Sequence, residues 1–191
     1  MNRRSPWEET SLAGVLVGRP RAFPDERGQF MEIFRASHES VLGLSGPFVQ
    51  DNFSRSRRGV IRGMHYQRRS PQGKLITVLR GRIWDVVADI RNGSPTFGRW
   101  FGVELSEEGR RQLFVPAGYA HGFCALSEEA DLMYKATAYY DPSDERGFRW
   151  NDPHVTIAWP VTHPIVSPKD AALPFLAEIP AEERPEFSVG S

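Results

Sequence analysis

Punctuation is what most constrains this chain. Turn signals recur at short intervals from residue 80 onward: RG at 80–81, NG at 92–93, EG at 108–109, PAG at 116–118, DP at 141–142 and NDP at 151–153. Glycine supplies a free φ, proline a fixed one, and asparagine and aspartate bond to their own backbone, so each residue type turns the chain for its own reason. Between the signals lie short runs of β-branched and aromatic residues: LITVL at 75–79, IWDVVADI at 83–90 and WFGVEL at 100–105, with further runs at 112–115, 122–126, 131–139 and 155–159. Strands this short and this closely punctuated make a sandwich or a barrel. The N-terminal part agrees. LAGVLVGR at 12–19 reads as a strand, PDERG at 24–28 as a turn, and QFMEIFR at 29–35 as a second strand whose Glu32 sits at an edge or aims into a pocket. Helix is confined to 36–44, 169–173 and 181–184. One mainly β domain is expected over 1–191, with a loose arm over 1–10 and a surface tail over 171–191.

The bulk numbers exclude several classes. A chain of 191 residues is long enough to bury a sizeable core, and 40% hydrophobic with 25% charged residues is ordinary for a soluble protein. The 24 Lys and Arg balance 24 Asp and Glu. No net field therefore draws the chain to nucleic acid. Arginine is dense locally, at Arg55, Arg57, Arg58, Arg62, Arg68 and Arg69, which suits an anionic small molecule. The single cysteine, Cys124, allows no internal disulfide and no Cys-based zinc site. No apolar run follows the charged N-terminus, and no segment approaches the ~20 apolar residues of a membrane span. The expectation is a cytoplasmic protein without a membrane partner.

Two segments carry the chemistry. One is GVIRGMHYQ at 59–67, followed by Lys74; the other is PAGYAH at 116–121. Together they look like the paired motifs of a small barrel of the cupin type. In metal-binding cupins the first motif supplies His-x-His and then a Glu, and the second a third His. Here the second His position is Gln67, and Lys74 stands near the place of the Glu. An ammonium cannot ligate a cation and an amide oxygen is a poor ligand for transition metals. The pocket thus keeps His65 and His121 and gains positive charge, which suits proton abstraction beside a ketone. Histidine is the default base near neutral pH, and Lys74 would hold the enolate oxygen. Tyr134 and Tyr140 are both candidates for the acid, with packing aromatics as the ordinary alternative.

The longer motifs QDNFSRSRRGVIRGMHYQ, GKLITVLRGRIWDVVADIR, VPAGYAHGF, YKATAYYDPSDERGFRWNDP and SPKD closely resemble the dTDP-4-dehydrorhamnose 3,5-epimerase family, over about residues 18–170. The resemblance implies a cupin-type jelly-roll barrel that works as a homodimer without cofactor or metal. Its substrate would be a dTDP-4-keto-6-deoxyhexose, inverted at C3 and C5. It further implies His65 as the base, Asp170 as its carboxylate partner, Tyr134 as the proton donor, and Lys74 and His121 around the sugar carbonyl, with Asp85 orienting His121. Arg27, Glu32, Gln50, Asn52, Arg62, Glu145 and Lys169 would hold nucleotide or diphosphate, with Tyr140 packing near the nucleotide. An epimerase acting at one carbon only, a metal-dependent cupin and a non-catalytic binding barrel remain as alternatives.

Overall fold

The computed structural model describes residues 7–44 and 46–187. Its strands are β1 (Trp7–Glu9), β2 (Leu16–Gly18), β3 (Ala22–Asp25), β4 (Gly28–Met31), β5 (Gln50–Arg57), β6 (Val60–Gln67), β7 (Lys74–Arg80), β8 (Arg82–Ala88), β9 (Trp100–Ser106), β10 (Gln112–Val115), β11 (Ala120–Ala125), β12 (Glu129–Ala136), β13 (Glu145–Gly147) and β14 (Ile165–Val166). The first sheet runs β1-β2-β10-β7-β12-β5 and the second β13-β6-β11-β8-β9, with β14 parallel to β6. Strands distant in sequence sit side by side, β10 on β2 and β12 on β5, as a jelly roll requires. The fold is the expected cupin-type barrel. β3 and β4 pair only with each other, as a separate hairpin.

Period-two alternation assigns the faces. On β5, Asn52 and Ser54 line the interior while Phe53 points outward at 61% exposure. One end of the barrel is sealed by Ile76, Val78, Ile83, Val87, Leu105, Leu113, Phe123 and Leu132. Each such side chain contributes roughly 1.5–3 kcal/mol when fully buried, so the sealed end holds the barrel together and leaves the other end free to be polar.

The outer face of the second sheet is covered by the C-terminal segment, through Leu176 and Ile179 against Met64, Tyr66 and Phe148. The Leu176 N–H donates to Asp152 at 2.6 Å, and the Tyr66 hydroxyl donates to the Glu183 carbonyl at 3.0 Å. The tail expected over 171–191 therefore crosses the surface as an anchored strap as far as residue 187; residues 188–191 lie outside the described ones. Of the arm expected over 1–10, residues 1–6 also lie outside them, and Trp7–Glu9 form the edge strand β1 rather than a loose segment.

Other boundaries moved for local reasons. The strand expected over 12–19 shortens to Leu16–Gly18 because Leu12 and Val15 turn inward on a bend closed by the Val15 N–H and the Leu12 carbonyl. The strand expected over 29–35 ends at Met31, and the Ile33 carbonyl instead accepts from the Gln112 side chain at 2.7 Å. The helix expected over 36–44 is one 3-10 turn, Ala36–His38. It buries none of its residues, so no apolar face stabilises a longer helix. The segment at 169–173 forms a four-residue helix, α1 (Pro168–Ala171), and that at 181–184 a 3-10 turn, Ala181–Glu183. Among the described residues no helix is long and apolar enough to cross a membrane.

Candidate active site

The second sheet supplies two histidines. His65 on β6 and His121 on β11 are register partners on adjacent strands. The strands approach closely there. A Cβ at Gly63, whose φ is +124°, would meet the Gly122 Cα at 2.6 Å and the His121 carbonyl at 2.8 Å, so the position admits only glycine.

His65 Nε2 lies 2.8 Å from Asp170 Oδ1. Asp170 is delivered by α1. Ser167 caps this helix, its Oγ accepting the Asp170 N–H at 3.0 Å, and Pro168 occupies its first turn, where a missing N–H costs nothing. The other Asp170 oxygen accepts from the Gly63 N–H at 3.3 Å. Burial pushes the Asp170 carboxyl up, but the His65 ring and the Gly63 N–H outweigh it and hold the group below the usual carboxylate range. An ionised Asp170 only accepts, so it fixes the His65 proton on Nε2 and leaves the lone pair on Nδ1.

Nδ1 faces a second carboxylate. Glu145 Oε1 is 3.9 Å away, while Glu145 Oε2 accepts from the Tyr140 hydroxyl at 2.9 Å and from the Lys169 ammonium. Burial alone would raise this carboxyl; the Lys169 hydrogen bond and the nearby imidazole bring it below its ordinary value. A proton arriving on His65 would thus stand between two negative charges.

His121 has its own partner. Its Nε2 is 2.7 Å from Asp85 Oδ1, and Asp85 is fully buried on β8 with Oδ2 unpaired among the described residues.

The first sheet supplies the opposing groups. Lys74 begins β7, and Tyr134 on β12 pairs with Ile76 on one side and Asn52 on the other. The Lys74 ammonium has no hydrogen bond or ion pair among the described residues, and burial lowers it to about 8. The Tyr134 hydroxyl is likewise unbonded, and burial raises it. Tyr140, by contrast, has committed its hydroxyl proton to Glu145.

These groups surround a cavity of about 580 Å³, within the range of ordinary ligand pockets. Its lining includes His65, Asp170, Tyr134, Lys74, Gln50, Asn52, Arg62, His121, Tyr140 and Glu145. Arg62 is held toward it by bonds from Nε to Ser56 Oγ (3.0 Å) and from Nη2 to the Arg55 carbonyl (3.2 Å). Lys169 stands at the rim on Glu145. Arg27 and Glu32 are not brought in. Arg27 pairs with Asp25 on the free hairpin and Glu32 with Arg35, each at 2.6 Å and exposed.

Sequence reasoning missed Gly63, Gln72 and the closeness of Glu145 to the His65 ring. It named Gln67 as a lost metal ligand but not what the amide does. Gln67 donates to the carbonyls of Ser70 (2.8 Å) and Tyr139 (3.2 Å) and accepts from the Asp141 N–H (2.8 Å). The S-P-K-D pattern, a cap residue followed by proline, was the available signal for how Asp170 is presented. Among the described residues no three His, Cys, Asp or Glu side chains converge as a metal site would need.

Comparison with known proteins places this geometry. Residues 9–178 match the family described as dTDP-4-dehydrorhamnose 3,5-epimerase. A protein of that name from Methanothermobacter thermautotrophicus is 50% identical over 165 residues, covering 85% of this chain and 89% of its own. A dTDP-4-dehydrorhamnose 3-epimerase from Streptomyces niveus is 40% identical over 169 residues, covering 87% and 82%. Among solved structures, a dTDP-6-deoxy-D-glucose-3,5-epimerase from Legionella pneumophila in complex with dTDP-4-keto-L-rhamnose superposes with a TM-score of 0.93 at 48% identity, covering 96% of this chain and 98% of that one.

Proposed function

The chain belongs to the dTDP-4-dehydrorhamnose 3,5-epimerase family, and from that premise we propose that it inverts C3 and C5 of a dTDP-4-keto-6-deoxyhexose, converting dTDP-4-dehydro-6-deoxy-D-glucose to dTDP-4-dehydro-L-rhamnose. One observation carries the reading. His65 on one sheet, paired with Asp170 of α1, faces Tyr134 and the buried Lys74 on the other sheet across one cavity. Epimerisation requires a proton to leave one face of the sugar and return to the opposite face, and two facing sheets provide those sides.

His65 takes the proton next to the C4 ketone on Nδ1, and Asp170 and Glu145 stabilise the imidazolium. The electrons move into the ketone, and the enolate oxygen is held by Lys74 and by His121, which serves as a donor when Nδ1 carries a proton while Nε2 bonds to Asp85. In a water-poor pocket those charges count for more than in solution. Tyr134 returns a proton from the opposite side. Its free hydroxyl favours it over Tyr140, whose proton is already engaged. Gln50, Asn52, Arg62 and Lys169 hold the nucleotide and diphosphate, Arg62 by its planar fork. That remote binding energy positions the sugar for reaction. No step in this scheme needs a cofactor or a metal.

The protein works as a homodimer in the cytoplasm. Phe23 and Phe30 on the free hairpin and Phe53 on the edge strand β5 are 46%, 69% and 61% exposed, an apolar surface that a second copy would cover. Arg27 and Glu32, carried on or beside that hairpin, reach nucleotide in the neighbouring copy. The test is incubation with dTDP-4-dehydro-6-deoxy-D-glucose in heavy water, read by NMR. Deuterium at both C3 and C5 is expected, and label at one carbon alone would replace the reading with a single-position epimerase.

A further inference from the structure

The segment at 137–144 links β12 of the first sheet to β13 of the second, crossing the barrel mouth and carrying Tyr140 into the cavity. It is short of backbone partners. Four of its main-chain polar groups are instead satisfied by three glutamine side chains. Gln72 donates to the Ala138 carbonyl at 2.8 Å. Gln67 donates to the Tyr139 carbonyl at 3.2 Å and accepts the Asp141 N–H at 2.8 Å. Gln50 accepts the Tyr140 N–H at 2.9 Å. Gln50 belongs to the first sheet and Gln67 to the second, so the crossing is pinned from both sides.

We propose that Gln50, Gln67 and Gln72 form an amide clamp that sets the position of Tyr140, and that Gln67 and Gln72 are positioning residues for the reaction. An amide suits the task because it donates and accepts at once, so one side chain can hold a carbonyl and the N–H two residues on. Gln67 is 4% exposed and has three of its four bonds made, two to this loop and its own turn and one to Asp141. The clamp fixes the Tyr140 hydroxyl on Glu145, and Glu145 faces the free nitrogen of His65. Gln67 and Gln72 therefore act on the site through Tyr140 and Glu145, whereas Gln50 also holds nucleotide. The proposal rests on the epimerase reading only for its kinetic readout.

The test is a double-mutant cycle of Gln67→Met with Tyr140→Ala, read by kcat/KM on dTDP-4-dehydro-6-deoxy-D-glucose. A parallel readout is the rate at which chymotrypsin nicks the loop at its two tyrosines. Loss of these bonds is expected to lower kcat/KM about tenfold in the parent background and not at all when Tyr140 is already alanine. Nicking should rise about tenfold in Gln67→Met. Gln67→Glu, which keeps the acceptor for Asp141 but sets a buried carboxylate against the Ser70 and Tyr139 carbonyls, should lose at least as much. Equal losses in both backgrounds would reduce the clamp to general stability and overturn the proposal, as would unchanged nicking. A wild type without turnover counts against the epimerase reading, and the clamp is then judged by nicking alone. If Gln67→Met does not fold, Gln72→Ala runs the same cycle, with a smaller expected loss of about threefold.

Discussion

Two histidine–aspartate pairs lie side by side in this barrel, and they are built differently. His65 and His121 are register partners on β6 and β11. The His121 pair is local and deep: Asp85 comes from the neighbouring strand, its side chain fully buried and the His121 ring 10% exposed. The His65 pair is assembled from a distance. Asp170 arrives from a capped four-residue helix 105 positions along the chain, and the His65 ring is 24% exposed. A further carboxylate, Glu145, flanks His65, whereas Asp85 keeps one oxygen without a partner among the described residues. On the proposed assignment, the base that must gain charge in each cycle sits at the mouth between two carboxylates, and the group that holds an oxygen is buried in the sheet with one.

The comparison can be broken at several points. The largest effect is expected at the base pair itself. His65→Ala should lower kcat by about 10³- to 10⁴-fold, the scale of lost general-base catalysis, with little change in thermal stability. Steady-state kinetics beside a melting curve measures both.

Next comes the cation. Burial disfavours the charge on Lys74 and pushes the ammonium down to about 8 in the folded chain, from an ordinary 10.5. Between those values the unfolded chain holds a proton that the folded one lacks, so stability rises with pH across that window. Lys74→Met should remove the slope and be more stable than wild type at pH 7, while losing about 10²- to 10³-fold in kcat through loss of an oxyanion donor. In the wild type, kcat should decline as pH passes about 8 and the ammonium discharges.

The two tyrosines sharpen the contrast between a free and a committed hydroxyl. Tyr134→Phe is expected to cost about 10²-fold in turnover; Tyr140→Phe should cost less than about tenfold, because its hydroxyl acts through Glu145. If Tyr140→Phe proves the more damaging, the acid has been misassigned. The smallest effect should come from Asp85→Asn, no more than about threefold in kcat, because an asparagine can still accept from the His121 ring.

Much of this was legible in the residues. The turn signals and short apolar runs anticipated the two sheets, except at 155–159, which forms no strand; the GVIRGMHYQ motif lies on β6 with His65, and PAGYAH leads into β11 with His121. What periodicity could not supply is where distant segments meet. Asp170 reaches His65 because β14 pairs with β6 just before it and Leu176 and Ile179 anchor the strap beyond it, and no local pattern records those contacts. The segment at 36–44 misled because a short run ending at glycine resembles a helix, yet it forms one turn and buries Leu42 alone. Arg27 and Glu32 sit in a hairpin that this chain alone leaves facing solvent. Gln67 was read by what it cannot ligate, while the amide bonds it makes instead became visible only once the loop at 138–141 was in place.

The central claim is that one pair performs proton abstraction and the other holds the oxygen. The most direct measurement is deuterium incorporation from heavy water at C3 and C5 of dTDP-4-dehydro-6-deoxy-D-glucose, compared between His65→Ala and His121→Ala. The account predicts no label at either carbon with His65→Ala, and slowed label at both with His121→Ala. Label persisting at either carbon with His65→Ala and vanishing with His121→Ala would contradict it.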